Sequence, residues 1–337
     1  MTERVIIVGA GGISDAWFPP LIAEGVEVAA VVDLRPEAAK AKLDKYQLSA
    51  PVFGDLCTAL RKTSADFLLD LTIPEAHCGV TVAALKAGLP VIGEKPMASS
   101  MAEARRMVAA AEKAERLYMV SQSRRWDVRH DRVRRTLASN ALGEINTINC
   151  DFFLGVHFGG FRDVMPSPLI LDMAIHHFDM ARFFTGLDPV AVYAHEYNPH
   201  GSWYAGDVAA VCIFEMSNGA IFTYRGSWCA EGCHTSWNGD WRIVGDRGTL
   251  IYERDNDPHG QLVAGDEGSM RPLAPLTVAD SPLEFTGMHG GLLEMLAYLR
   301  TGKKPQTECH DNINSLAMVF AAMESARKGK RVLVRGM

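Results

Sequence analysis

The first third of the chain alternates short, wholly apolar runs with longer segments of helical period. Residues 4–8 (Arg-Val-Ile-Ile-Val) leave no polar face, the mark of a strand buried on both sides of a parallel sheet. A helix over 14–24, a strand over 27–32, a helix near 55–62, a strand over 66–71, a helix over 75–87, a strand ending at Val91-Ile92-Gly93, a helix over 100–115 and a strand over 117–122 continue the series. The alternation predicts a doubly wound sheet of six mostly parallel strands with helices on both faces, an α/β half complete near residue 122. Beyond residue 143 the texture changes. Segments 145–156, 190–196, 207–215, 219–228, 239–244 and 248–253 are short, β-branched or aromatic, and separated by turns such as Ser217-Asn218-Gly219. They predict a mostly antiparallel α+β domain over 123–337, whose closing helices can pack back on the first domain. One long helix, 168–185, is embedded there and closed by Gly186.

The turn after the first strand reads Gly9-Ala10-Gly11-Gly12-Ile13-Ser14. Glycines here let backbone N–H groups approach a pyrophosphate, and the helix that follows turns its positive end toward the phosphates. The second strand ends in Asp33, where a carboxylate accepts hydrogen bonds from the adenosine ribose. Strand, glycine turn, helix, strand and acid in this spacing predict a Rossmann dinucleotide-binding domain over residues 1–122, with Gly9, Gly11, Gly12, Ile13 and Asp33 along the cofactor. The usual last glycine is Ser14, a change expected to loosen the helix–strand contact slightly. Arg35 keeps the cofactor choice open: Asp33 repels a 2′-phosphate and favours NAD, whereas Arg35 welcomes one and leaves NADP as the alternative. Thr72, Ile73, Pro74 and His77 follow the next strand at the same edge and are assigned to ring or ribose contacts, His77 reading equally well as a packed helix-start residue. Glu94 and Lys95 project from the end of the strand after that, where a cofactor meets a substrate. Lys95 is the charge expected to do chemistry.

With 337 residues, 48% of them hydrophobic and a net charge of −6, the chain reads as a soluble globular protein of two domains, without the basic footprint of a nucleic-acid partner. The arginine-rich run 124–135 carries two aspartates and fits an exposed helix face. No apolar run approaches the roughly 20 residues of a membrane helix, and Met1-Thr2-Glu3-Arg4 leads straight into a core strand, so no leader is expected. Seven scattered cysteines predict free thiols and a reducing cytoplasm. Cys229-x-x-x-Cys233-His234 has no second pair at zinc spacing, and no metal is expected.

On the helix 168–185, Asp172, His176, Asp179 and Phe183 share one stripe, while Met173, His177, Met180 and Phe184 form another. His177 therefore reads as a core histidine, and His176 points with the acids. An Asp–His pair at i, i+4 orients an imidazole and stabilises its protonated form; it also occurs as a plain helix-surface pair. A metal site of a hydrolase or aldolase built from Asp172, His176, His177 and Asp179 is disfavoured because His177 lies off the stripe. His157, Trp237 and Trp241 are candidate substrate contacts, since flat indoles suit the apolar faces of sugars. The competing role for both tryptophans is to cover the sheet.

These motifs together resemble the glucose-fructose oxidoreductase, inositol dehydrogenase and rhizopine catabolism (Gfo/Idh/MocA) family over nearly the whole chain. The likeness rests on the glycine turn, on Ile73-Pro74-Glu75-Ala76-His77, on Glu94-Lys95-Pro96, and on Asp172-x-x-x-His176-x-x-Asp179-x-x-Arg182. It implies an NAD(P)-dependent oxidoreductase acting on a carbinol of a sugar, cyclitol or related polyol. Lys95 takes the place of the lysine that contacts the substrate hydroxyl and the cofactor, Asp172 that of the substrate-binding acid, and His176 that of the proton-transferring histidine. It also implies a cis Lys95-Pro96 bond and a homodimer or homotetramer joined through the open sheet face. Ala174 stands where the family usually has glycine. A non-catalytic nucleotide sensor of the same fold is the rival, and retention of all three catalytic positions weighs against it.

Overall fold

A computed structural model describes residues 2–337, and in it the N-terminal alternation closes into one sheet. Strands β1 (Arg4–Val8), β2 (Glu27–Val32), β3 (Val52–Phe53), β4 (Phe67–Asp70), β5 (Val91–Glu94) and β6 (Tyr118–Ser121) lie in the order β3-β2-β1-β4-β5-β6. Every neighbouring pair is parallel, as expected. Helices α1 (Phe18–Ala23), α2 (Pro36–Lys45), α3 (Leu56–Lys62), α4 (Pro74–Lys86) and α5 (Met101–Ala114) connect the strands. Strand order reverses between β1 and β4, and ligands of open α/β sheets collect at such a switch point, outside the carboxyl ends of the strands.

The first helix departs from expectation. Residues Gly12–Ala16 form a 3-10 turn, and α1 begins only at Phe18. Pro19 and Pro20 have no N–H to donate, so they fit the first turn of an α-helix and not its interior. The 3-10 turn carries Trp17 into the core at 0% exposure, and its indole Nε1 donates to Glu94 Oε1 at 2.8 Å. The backbone N–H of Lys95 donates to the other oxygen at 3.2 Å. Glu94, placed by the sequence beside the cofactor, is thus a buried strut between the glycine turn and the lysine turn.

The second half contains α6 (Val128–Ala138), β7 (Ile145–Phe153), α7 (Ile175–Thr185), β8 (Pro189–Tyr197), β9 (Ala209–Met216), β10 (Ile221–Ser227), β11 (Asp240–Gly245), β12 (Gly248–Tyr252), β13 (His259–Val263) and β14 (Leu273–Pro275). It is followed by α8 (Gly287–Thr301), α9 (Cys309–Lys328) and β15 (Val332–Leu333). The nine strands run β14-β13-β12-β11-β7-β10-β9-β8-β15. Only β7 and β10 pair in parallel, which makes the sheet mixed but mostly antiparallel. The aromatic side of α7 is buried over this sheet: Phe178 meets Phe214 and Tyr224 edge-on at 4.9 and 5.4 Å. Each such ring contributes about 1.5–3 kcal/mol through burial.

Two compact units result: Met1–Trp126 with Phe285–Ile313, and Asp127–Glu284 with Asn314–Gly336. The division falls after Trp126, four residues beyond the boundary read from sequence, and α8 belongs to the first unit. Its close seat there depends on Gly290, where a Cβ would lie 2.6 Å from the Trp126 Cβ and 2.7 Å from its Cγ. Among the described residues no helix is long and apolar enough to cross a membrane, and all seven cysteines are free thiols.

Two stability predictions follow from this packing. Gly290→Ala is expected to cost about 1–3 kcal/mol by overpacking, read as a lowered urea midpoint with an unchanged slope. Trp17→Phe leaves the Glu94 carboxylate one donor short, and a loss of about 1–3 kcal/mol is expected. An unfolding midpoint equal to that of the parent would remove Glu94 from its bracing role.

Candidate active site

In the first unit the carboxyl edge of the sheet carries the glycine turn. Gly9 has φ of +98°, and a Cβ there would stand 2.6 Å from the Leu71 carbonyl oxygen, so only glycine lets the turn pass this close to the end of β4. Above Gly11 and Gly12 a Cβ would meet nothing within 4 Å, leaving space over the backbone. Ser14 is fully buried and its hydroxyl donates to the Gly11 carbonyl at 2.7 Å. Serine therefore draws this turn together. Asp33, partly exposed, accepts from Ala10 N and from Arg35 N, each at 2.8 Å. Its carboxylate joins the glycine turn to the start of α2 and keeps lone pairs for a further donor. Arg35 itself is exposed. Ile13, Ile73 and Leu34 leave large apolar side chains 37%, 64% and 92% exposed; the sequence reading passed over Leu34, whose only signal is an apolar residue between Asp33 and Arg35.

His77 and Thr72 turn elsewhere. His77 is 1% exposed, with Nδ1 3.1 Å from Asp70 Oδ2. Thr72 donates to Asp70 Oδ1 through its hydroxyl at 2.6 Å and its N–H at 3.1 Å, and Thr81 adds a hydroxyl donor to Oδ2 at 3.3 Å. The buried carboxylate of Asp70, at 0% exposure, organises this turn and was missed; its signal was an acid inside an apolar strand. His77 is consequently a packing residue that braces the Thr72–Pro74 turn, and direct contact with a ligand is closed to it. Glu94 is likewise withdrawn: burial pushes its carboxyl up from the usual range, with the Trp17 indole opposing that rise. Lys95 follows it, partly buried, and the Lys95–Pro96 bond is cis.

In the second unit the helix expected over 168–185 has two parts. Leu169–Ala174 is π-helical and leads directly into α7; wide turns of this kind recur at functional sites. Asp172 lies in the wide stretch and His176 just past it, and both are partly exposed. Between Met173 and Phe184 every residue is buried except His176. His177 is fully buried against Phe152, Tyr224 and Trp241, with ring centroids 4.7, 5.5 and 6.3 Å away. Asp179, read from sequence as sharing the His176 stripe, is 1% exposed and accepts from Ser315 Oγ at 2.6 Å. Ser315 in turn accepts from Arg182, whose guanidinium also holds Asp188. A ligand set of Asp172, His176, His177 and Asp179 does not form on this helix. Among the described residues one group of three metal-ligating types lies together, Glu308, Cys309 and His310. There His310 bridges Glu112 at 2.9 Å and Glu308 at 2.6 Å, and these carboxylates push its pKa up, the pattern of an imidazolium ion pair.

Arg162, absent from the sequence reading, donates from Nε to Asp172 Oδ2 at 2.6 Å. His157 is exposed, stacks on Trp203 at 3.7 Å and meets Glu231 Oε1 at 2.9 Å. Trp237 is 45% exposed, 6.2 Å from the Phe158 ring. Trp241 is 1% exposed, stacked over Phe222 at 6.0 Å and donating to Asn238 O at 2.8 Å. It covers the sheet and is withdrawn from any substrate.

Comparison with known proteins agrees with this architecture. Residues 3–122 match the model of an oxidoreductase family with an NAD-binding Rossmann fold, and residues 130–251 match the GFO/IDH/MocA C-terminal domain. An uncharacterised protein of Sinorhizobium fredii is 28% identical over 99% of this chain and 96% of its own. A D-apiose dehydrogenase of Paraburkholderia graminis is 26% identical over 93% of this chain and 84% of its own. A solved oxidoreductase of Agrobacterium radiobacter, in complex with NAD+, L-tartaric acid and magnesium, shares the fold with a TM-score of 0.86 at 22% identity over 99% of both chains. With both halves matched, the chain belongs to the GFO/IDH/MocA family of oxidoreductases, whose N-terminal half is an NAD-binding Rossmann fold.

Proposed function

We propose that the protein oxidises a secondary hydroxyl of a sugar, cyclitol or related polyol, or reduces the matching ketone, with NAD as cofactor. The observation that carries this reading is His176, the one residue of a twelve-residue helical stretch, Met173 to Phe184, left accessible, four positions after an accessible Asp172. The curated relative that acts on D-apiose supports a polyol as substrate.

The first unit fits a dinucleotide. Open space over Gly11 and Gly12 is a cradle that any Cβ would narrow, and Asp33 at the end of β2 has acceptor capacity left for ribose hydroxyls. Gly9, Gly11, Gly12, Ile13, Asp33 and the Thr72–Pro74 turn are the residues assigned to hold it. NAD is favoured over NADP because the Asp33 carboxylate opposes a 2′-phosphate. When bound, NAD supplies the hydride acceptor. His176 accepts the proton of the substrate hydroxyl at an imidazole nitrogen, a role suited to a group that titrates near neutrality. The Lys95 ammonium stabilises the negative charge that grows on that oxygen. Asp172 accepts a hydrogen bond from a neighbouring hydroxyl and orients the ring. His157 and Trp237 are assigned to the outer part of the substrate.

We place the protein in the cytoplasm, in line with its free cysteines, as an assembly of two or four copies. The open face of the nine-stranded sheet supports such an assembly, since paired Tyr193 and Ile213 are 49% and 43% exposed on it.

Lys95→Ala and His176→Ala are each expected to lower kcat by about 100-fold or more while NAD affinity, measured by fluorescence titration, stays within about twofold, because both residues act on the transition state. Wild-type turnover in either variant would end that residue's assigned role. Asp33→Ala is expected to weaken NAD more than NADP in the same titration. Equal weakening of both would show that the carboxylate serves only the loop.

A further inference from the structure

The sequence assigns Asp172 a substrate hydroxyl, but the structure surrounds that carboxylate with a feature the motif does not contain. Arg162 reaches it from a short 3-10 turn, Gly160–Val164. Contact is through Nε alone, at 2.6 Å. An arginine free to optimise its ion pair engages a carboxylate with two parallel N–H donors. Here, among the described residues, neither terminal amine of Arg162 has a hydrogen-bond partner, and the side chain is 31% exposed.

The guanidinium is not loose. Its central carbon lies 4.9 Å from the Phe158 ring centroid and 4.6 Å from that of Phe161. Such cation–π contacts fix the plane of the group, so its remaining N–H donors are directed. The turn is also pinned behind Arg162: Ala205 N donates to Asp163 O at 2.7 Å, and Asp207 N donates to Pro166 O at 2.8 Å. Asp172, 14% exposed, sits in the wide turn before α7. One fixed acceptor and one fixed set of donors therefore stand side by side.

We propose that Arg162 and Asp172 form a donor–acceptor pair that reads two adjacent hydroxyls of a neutral polyol, which makes Arg162 a specificity-determining residue. One hydroxyl donates to Asp172, and its neighbour accepts from the Nη edge of Arg162. The pair carries no net charge. An acidic substrate would bring its own carboxylate beside that of Asp172, and like charges at such separations in a partly desolvated site repel strongly, so sugar acids are disfavoured. The proposal rests on the assignment of Asp172 to the substrate made above.

The test uses the full-length protein loaded with NADH, so that binding is seen without turnover. Calorimetry would follow myo-inositol, D-glucose and D-xylose, each with its mono-deoxy analogues, and D-glucuronate as the anionic control. These would be compared in the wild type, Arg162→Ala and Arg162→Lys, the last keeping the charge and the stem but not the fork. Melting curves would confirm that each variant is folded. The wild type is expected to prefer the best-bound vicinal diol over its deoxy analogue, and over D-glucuronate, by at least about tenfold, the value of a hydrogen bond to a charged group. Both variants should lose the preference over the deoxy analogue, with that analogue's own affinity little changed, while D-glucuronate stays disfavoured because Asp172 is retained. A folded Arg162→Ala that keeps the preference, or that weakens diol and analogue equally, overturns the proposal even where the wild type turns polyols over. A wild type that discriminates through Arg162 yet reduces no cofactor with any of these polyols overturns the proposed activity and leaves the recognition standing. A wild type that binds none of them overturns both.

Discussion

The working edge of the first unit depends on one buried carboxylate. Glu94 ends β5 at 6% exposure, and a buried charge persists only where donors replace the water it has lost. Those donors come from two separate segments, the indole of Trp17 just beyond the glycine turn and the backbone amide of Lys95. The same group therefore ties the segment just beyond the glycine turn to the turn that carries Lys95. Burial raises the pKa of Glu94, so ionising it costs the folded state stability. The two hydrogen bonds offset that cost.

Asp70 repeats this logic one strand away. It is wholly buried at the end of β4, and it draws Thr72, His77 and Thr81 around its two oxygens. The Thr72–Pro74 turn is set by this cluster, and Gly9 passes within van der Waals reach of the adjoining Leu71 carbonyl. The ends of β2, β4 and β5 are thereby held by Asp33, Asp70 and Glu94, each carboxylate bonded to backbone N–H groups of a turn beside it. Acids at strand ends are suited to this work because loop amides there have no ladder partner.

In the second unit the constraint is apolar. Phe178, His177 and Trp241 fill the space between α7 and the sheet, and Asp179 and Arg182 are consumed by Ser315 and Asp188. With nearly every side of the helix committed, His176 is left partly exposed, as is Thr185 at the last turn. The π-helical entry places Asp172 before the regular helix begins, where Arg162 and its two phenylalanines reach it.

What the sequence determined by itself was whatever depends on local period or local backbone chemistry. Uninterrupted apolar runs marked the parallel strands, because burial on both faces permits no polar alternation. Gly9 and the acid at residue 33 marked the turn at the carboxyl edge of the sheet, because close approach to the Leu71 carbonyl needs glycine and the loop amides need an acceptor. The apolar stripe of the long helix separated His177 from His176 by period alone. What the tertiary structure decided was where each polar side chain spends its hydrogen bonds. Glu94 went to Trp17, His77 to Asp70, Asp179 to Ser315 and Trp241 to the core, although all four had looked like outward-facing or ligand-facing residues. Their partners lie 77, 7, 136 and, for the Trp241 ring on Phe222, 19 positions away. A side chain's role passes from composition to geometry when its partner is that distant, because the chain must fold before the two can meet.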